Sequence, residues 1–507
     1  MRLSSLFAST LREAPAGVAH PGQQWLMRAG FLRVLLGHRV YSALGVQTLQ
    51  HLSVCVQSHL AEAGIDAQFI AARDLSIDTL RAWCATDVRS YRQLPRVLMA
   101  TNVEQLDLIG LDPTQDAANA RKTALDGLLN RVVEDLQIAV VSAAAVDGTG
   151  LFALSAHGDA SLLTANGYAA MHESAQFIKP AATLEAALPI EKVATPECKT
   201  IDALAQFLGV PKAKTAKAVF LVATLAEGRE RFVFAIVRGD MDLSEAKLRH
   251  VLGALSLRPA TEAEIRAIGA VPGYASPIHL PPTAKPTSKP IVIVDDAIPA
   301  SPNLVAGAND AGYHLRNTNC PRDYVPDIMA DIALAHVGDR APSGQPLRAE
   351  RGACIGQVSY PVALSTTYLA ADGKPQPIWL TRCEINLAAL LESSALQHHD
   401  ANGLAWPRAT APFDVHVVAL AGKDVALAAQ ADALVTDLTR AGLRVLYDDR
   451  AETPGVKLND ADLIGLPVRM TVSAKALEKG GVEVKRRNAD TREIVPFADV
   501  IDAVRKI

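Results

Sequence analysis

The residues with the plainest chemical potential lie near the C-terminus. Asp448, Asp449, Arg450, Glu452, Pro454, Gly455, Val456 and Lys457 form one set, Asp462–Pro467 (DLIGLP) a second and Val482–Arg487 (VEVKRR) a third. The pattern puts Lys485, Arg486 and Arg487 at the end of a strand, and Arg450 and Lys457 beside a turn that enters a helix. Cations at strand ends and helix starts suit contacts to phosphates or base edges. By charge alone the same groups also read as an ordinary solvated surface. The six cysteines form no CxxC pair, so neither a zinc ribbon nor a thioredoxin-type site is signalled, and no metal-ligand cluster is visible.

These residues must be positioned by a large chain. Its 507 residues suggest three or four domains at roughly 100–200 residues each. Apolar residues make up 49% and charged residues 21%, a globular composition that excludes disordered, collagen-like and disulfide-scaffold classes. Fifty basic and 54 acidic side chains leave a formal charge of −4. Polyanion binding must therefore come from local clusters, not bulk charge. Aromatics, at 5%, are too sparse for a base-stacking platform. Scattered cysteines suit a reducing cytoplasm. No apolar run approaches about 18 residues, so no membrane contact is expected. The first residues, with Arg2, Arg12 and Glu13, lack the apolar run of a secretory signal.

Helices are expected over Ser9–Glu13, Gln24–Leu36 and Val46–Ala63, the last closed by Gly64, and over Leu125–Leu136, followed by a short strand at Gln137–Val141. From about Leu188 the texture changes to α/β. Thr200–Leu208 is a helix closed by Gly209, Ala218–Ala223 and Phe232–Val237 are strands, and Leu243–Leu252 and Thr261–Ile268 are helices, the latter with Glu264 three residues after Thr261. The proline-rich stretch 272–290 must be loop, and Ile291–Val294 a buried strand. The last hundred residues alternate strongly: strands at Val415–Leu420, Leu443–Tyr447, Val468–Val472 and Val482–Val484, helices at Val425–Ala441, Lys457–Ile464 and Phe497–Val504. That alternation implies a mostly parallel sheet with helices on its faces.

The C-terminal motifs resemble the anticodon-binding domain of the prolyl-tRNA synthetase family. MRLSSLFASTLREAPA at the start, LMRAGFLR, SYRQLP (Ser90–Pro95) and HDANGLAWP (His399–Pro407) resemble other segments of the bacterial enzyme in the same order. Residues 188–340 resemble that family's editing insertion, which also occurs as free-standing YbaK-like deacylases. PKAKTAKA carries Lys217 at the family's functional lysine, and VRGD ends at Asp240. Gly273 to Pro277 forms a GxxxP loop, and GANDAGYH supplies Gly307, Asn309 and the pocket histidine His314. Asn319, Arg322 and Asp323 complete the run. The resemblance implies hydrolysis of alanine mischarged onto proline tRNA. An aminoacyl ester is already activated, so positioning and oxyanion stabilisation suffice. Backbone N–H groups around Gly273 would hold the carbonyl, Lys217 the phosphate or ribose end of the RNA, and His314 would shape the side-chain pocket. No cofactor or metal is needed for this step.

The resemblance also implies an ATP-dependent ligase site on an antiparallel sheet, and there the family's motifs look broken. The motif 1 proline aligns with Ala71, and the threonine-x-glutamate element that holds the proline amine reads Leu75, Ser76, Ile77, Asp78. No basic residue occurs between Arg96 and Arg121, where motif 2 supplies an arginine to the ATP α-phosphate. Motif 3, normally glycine-x-glycine-x-x-arginine, aligns with Glu384, Ile385, Asn386, Leu387, Ala388, Ala389.

The expected architecture is therefore an α/β and α+β multidomain chain. It has a class II synthetase-like antiparallel core at 1–187 and 341–408, an inserted α/β editing domain at 188–340 and an α/β anticodon-binding domain at 409–507. The expected function is binding of tRNA(Pro) and hydrolysis of mischarged aminoacyl-tRNA(Pro), with ligase activity lost. ATP and magnesium enter only if the ligase site works. A homodimer in the cytoplasm is expected from the family. An active proline–tRNA ligase and a non-catalytic tRNA-binding protein remain open as alternatives.

Overall fold

The computed structural model describes residues 1–7, 9–71, 75–225, 228–280 and 289–506. The chain divides into two compact units: Met1–Val141 with Thr149–Ala160 and Arg351–Ile507, and Ser142–Gly148 with Ser161–Glu350.

The first unit holds a sheet in the order Ala67–Phe69, Arg96–Thr101, Gln105–Asp112, Pro375–Asn386, Arg348–Ser359 and Gly148–Leu154. Its centre is antiparallel, with Val97 opposite Gly110 and Cys383 opposite Leu108. The helices Ala43–Glu62, Gln115–Asp135 and Leu387–Gln397 bury apolar stripes against one face: Leu49, Leu52 and Val56, then Leu125, Leu129 and Val132, then Leu387, Leu390 and Leu391. Each begins on a residue whose short polar side chain accepts a backbone N–H of the first turn: Ser42, Thr114 and Asn386.

Two N-terminal expectations fail. The helix expected over Gln24–Leu36 runs only from Pro21 to Arg28. Gly30 then turns the chain at φ +85°, and Leu32–Leu35 pairs with His38–Tyr41 as a hairpin. Residues 9–13 form no helix, because Leu11 N–H donates to Arg28 O and the Arg33 guanidinium donates to Ser9 O, so tertiary partners take those groups. After the long helix, Gln137 adopts φ +54° and the next strand begins only at Val141.

The same unit contains a five-stranded C-terminal sheet in the order Val445–Asp448, Val415–Ala419, Val468–Val472, Val482–Arg486, Arg492–Val495. The first three strands are parallel and the last two pairings antiparallel. The sheet is thus mixed rather than mostly parallel. The edge strand Arg492–Val495 is not expected from the sequence, being four residues long and mostly exposed. Val415, Val417, Met470, Val472, Val482 and Val484 form one apolar face, covered by Leu427, Leu434 and Leu438 of the helix Val425–Arg440.

The second unit is built on a five-stranded sheet in the order Ser256–Pro259, Ala216–Thr224, Glu230–Arg238, Ile291–Asp295, Ile328–Ala330. Ala216, Ala218 and Phe220 face one apolar cluster, with Phe234, Ile236 and Ala275. Val219 and Leu221 face the other, with Leu248 and Ile293. A three-stranded sheet, Glu191–Ala194, Tyr313–Thr318 and Leu304–Gly307, lies in the same unit. The expected helices appear as Ile201–Leu208, Glu245–Leu252 and Glu262–Ala267, the last with the expected capping box of Thr261 and Glu264. Of the stretch 272–290 expected to be loop, 281–288 lies outside the described residues; 272–280 and 289–290 contain neither helix nor strand.

Candidate active site

In the second unit, the strand Ala216–Thr224, the strand pair Leu304–Gly307 and Tyr313–Thr318, and the loop 273–277 surround a cavity of about 100 Å³. Its lining includes Cys198, Lys199, Lys217, Gly273, Gly307 and His314.

His314 is the best-defined side chain of this cavity. It is 4% exposed, and its Nδ1 lies 2.6 Å from Thr195 Oγ1. The Tyr274 ring packs 5.3 Å from the imidazole centroid. Burial pushes the His314 pKa down to about 4, so the ring is neutral near pH 7. A neutral imidazole fixed by a hydroxyl shapes the pocket and offers a hydrogen bond, but it supplies no positive charge. The unfolded chain holds this proton more tightly than the folded one, so the stability due to His314 is complete above pH 6.5 and is lost as pH falls toward 4. Hydrolysis at this site is expected to show no inflection from His314 between about pH 6 and 8; a kcat/KM profile over that range checks it, and a His314-dependent step near 6.5 would contradict it.

The glycine loop is held from behind. Asn309 Nδ2 donates to Ser276 O and Ile278 O, both at 2.9 Å, its Oδ1 accepts the Ser276 N–H at 3.1 Å, and its own N–H donates to Tyr274 O at 2.8 Å. Pro277 lies inside this clamped segment. Gly307 faces the same loop so closely that a Cβ there would lie 2.1 Å from the Tyr274 carbonyl carbon. Gly273 has φ +83°, a conformation that favours glycine.

Lys217 borders the cavity, but its Nζ donates to Asp242 Oδ1 at 2.9 Å. Its neighbours Ala216 and Ala218 also line the cavity. The Asp242 carboxyl is held below its ordinary pKa chiefly by that lysine. Asp240 is not in the cavity lining; it accepts both arms of the buried Arg238 guanidinium, at 2.7 and 2.9 Å. Arg322 is also outside the lining and is spent on Asp323, Leu188 O and Asn317 O.

The first unit has its own cleft of about 320 Å³ over the antiparallel sheet, lined by Arg39, Asn102, Glu104, Gln357, Glu384 and Asn386 among others. The strands Arg96–Thr101 and Gln105–Asp112 are joined by the turn 102–104, in which Asn102 Oδ1 accepts the N–H groups of Glu104 and Gln105. Arg121 turns back to Asp112 at 3.0 Å, and Arg382 pairs with Asp107 and Glu384. Arg39, the one cation among the described lining residues, is 2.9 Å from Glu392.

The C-terminal cations divide. Arg450 binds Asp448 and Asp460, at 2.7 and 2.8 Å. Lys457 is 4% exposed and donates to Ala419 O at 2.7 Å, so it ties a helix to the sheet and is closed to RNA. Arg487 makes a two-pronged pair with Asp400. Lys485 and Arg486 remain at the surface of the sheet.

Residues 195–321 match the family described as aminoacyl-tRNA editing domain, and residues 414–507 the anticodon binding domain. Proline–tRNA ligases match from end to end. The one from Salinispora tropica is 34% identical over 580 aligned residues, covering 100% of this chain and 96% of the relative. This chain belongs to the proline–tRNA ligase family. The ligases of Thermoanaerobacter sp. (strain X514) and Geobacter sulfurreducens are 31% and 30% identical, each with 100% of this chain and 99% of the relative covered.

Within that family the chain has the mixed architecture of a class II synthetase with an editing domain and a C-terminal anticodon-binding domain. The alignment with the Salinispora ligase runs to 580 positions for a chain of 507, so that relative has stretches with no counterpart here. The editing-domain match begins at Thr195, the residue that holds His314. Thr195, Cys198, Lys199 and Tyr274 carry no site signal in the sequence alone. Only the chain's return at Tyr313–Thr318 brings Thr195 to His314, across 119 positions. Among the described residues no helix is long and apolar enough to cross a membrane.

Proposed function

We propose that this member of the prolyl-tRNA synthetase family binds tRNA(Pro) and hydrolyses the ester of a mischarged aminoacyl-tRNA(Pro), alanyl-tRNA(Pro) first, without making prolyl-tRNA itself. The observation that carries the reading is the contrast between its two cavities. The small one keeps a buried neutral histidine and a clamped glycine loop. The cleft over the sheet is lined by two glutamates and an arginine already paired. That lining does not fit a triphosphate and magnesium, because no uncommitted cation faces it among the described residues.

In the small cavity the alanyl methyl group sits against His314, and the ester carbonyl faces backbone N–H groups of the Gly273–Pro277 loop. Water adds to the carbonyl carbon, the carbon–oxygen bond to the ribose breaks, and the proton passes to the ribose oxygen with help from the neighbouring hydroxyl of the RNA. The protein supplies placement and oxyanion stabilisation. Asn309 and Gly307 keep the loop in place, and Lys217 with Asp242 forms the rim. Asp240 and Arg322 support the domain from outside the pocket. Domain limits of 188–340 for the deacylase and 409–507 for RNA binding fit this division of labour. Lys485 and Arg486, with no carboxylate partner among the described residues, are offered to the RNA, and Arg450, Lys457 and Arg487 build the surface that carries them. Assembly as a homodimer and work in the cytoplasm complete the proposal.

Incubation with alanyl-tRNA(Pro) tests it. Free alanine is expected to appear at least about 100-fold faster than spontaneous hydrolysis, with prolyl-tRNA(Pro) left intact. Stable alanyl-tRNA(Pro) that still binds the protein would leave RNA binding alone.

A further inference from the structure

An aminoacyl-tRNA brings an anion to any pocket that takes its amino acid, because the terminal ribose is joined to the rest of the RNA by a phosphodiester. The cavity rim must therefore place a cation near its mouth; among the described residues its lining holds two, Lys199 and Lys217, and three further lysines of the domain lie outside that lining. Lys192 is 2.7 Å from Asp310, Lys212 is 2.5 Å from Asp202, Lys214 is 2.7 Å from Glu185 and Lys217 is 2.9 Å from Asp242. Each is paired with a carboxylate. Lys199 also lines the cavity, is exposed, and has no carboxylate partner among the described residues.

Its stem is placed even though its charge is unspent. A Cβ built on Gly273 would lie 3.1 Å from both Cβ and Cγ of Lys199, so the lysine's methylenes cross the glycine that opens the oxyanion loop. The turn before it is short and closed: the Cys198 N–H donates to Thr195 O at 3.3 Å, and the Lys199 N–H to Glu197 O at 3.1 Å. Thr195 is the hydroxyl partner of His314. One turn thus holds the side-chain pocket at one end and an uncommitted ammonium at the other. A lysine with an ordered stem and a hydrated head meets a phosphate as a point charge.

We propose that Lys199 is the anion anchor of the site, taking the phosphate next to the aminoacylated nucleotide, while Lys217 balances Asp242. This rests on the reading of the cavity as a deacylase. Two substrates separate the claims: alanyl-tRNA(Pro), and 3′-O-alanyl-adenosine, which has the ester but no phosphate. Lys199→Ala is expected to raise KM for alanyl-tRNA(Pro) about tenfold with kcat nearly unchanged. It is also expected to flatten the dependence of log kcat/KM on log salt by about 0.7. Lys199→Arg restores both, and Lys199→Ala loses less on alanyl-adenosine than on alanyl-tRNA(Pro). The proposal is overturned if Lys199→Ala leaves KM and the salt slope in place, or if it slows both substrates equally, which would mark a packing role. An unaltered protein inactive on both substrates overturns the deacylase reading and this proposal with it.

Discussion

Proline-dependent ATP–pyrophosphate exchange is expected to be absent from the purified protein, even at millimolar ATP and magnesium. A synthetase must offset several negative charges in a site of low dielectric, and each charge-assisted contact contributes about 1.5–3 kcal/mol. Among its described residues the cleft over the sheet has none to give. Arg39 faces Glu392, Arg382 faces Asp107 and Glu384, and Arg121 is turned away onto Asp112. The strands Arg96–Thr101 and Gln105–Asp112 are joined by the turn 102–104, and Glu104 and Glu384 line the cavity. Losing two phosphate contacts costs about 3–6 kcal/mol, or about two to four decades in rate, before the repulsion from the glutamates is added. Thermal unfolding with and without magnesium–ATP gives a second readout, since a nucleotide that binds the folded state must raise Tm. Exchange at the rate of a working synthetase, or a clear rise in Tm, would return the chain to the ligase class.

Replacing Gly307 is the second change with a large expected effect. A Cβ at this position would meet the Tyr274 carbonyl carbon at 2.1 Å, the Tyr274 oxygen at 2.2 Å and the Ala275 nitrogen at 2.3 Å. All three are backbone atoms, so no side chain can swing aside. The loop they belong to is also clamped by Asn309, and the strain must move the whole 273–277 segment. Forcing one extra group into a packed interior costs about 1–3 kcal/mol, and a displacement of about 1 Å at a reacting centre costs about 100-fold in rate. Gly307→Ala is therefore expected to lower deacylation of alanyl-tRNA(Pro) about 100-fold, and Gly307→Val further. Affinity for tRNA(Pro) is expected to stay within about twofold, because the C-terminal sheet has its own core, to which the 273–277 loop contributes no residue. Filter binding and deacylation on the same preparation check both halves. Full activity in Gly307→Val would show that the loop takes no part in the chemistry.

The sequence by itself determined what is local. Apolar runs of strand length, capping residues and glycine stops placed the strands that became Ala216–Thr224 and Glu230–Arg238, the Thr261–Glu264 capping box and the C-terminal alternation, because these depend on neighbours a few residues apart. The motifs around Lys217, Gly273, Gly307 and His314 were legible for the same reason, as short strings. Tertiary structure decided which of the charges are spent. Nothing within ten residues of Lys457 says that its ammonium will be buried on Ala419 O, and nothing near Lys217 says that Asp242 will take it. The spacing of Leu26, Met27, Leu32, Val34 and Leu35 fits one long helix as well as a helix and a hairpin. Long-range bonds from Ser42 N–H to Phe31 O and from Arg33 to Ser9 O select the second. A cation is open to an RNA only if no carboxylate reaches it first, and for Lys217 and Arg487 that distance is set between segments far apart in the chain.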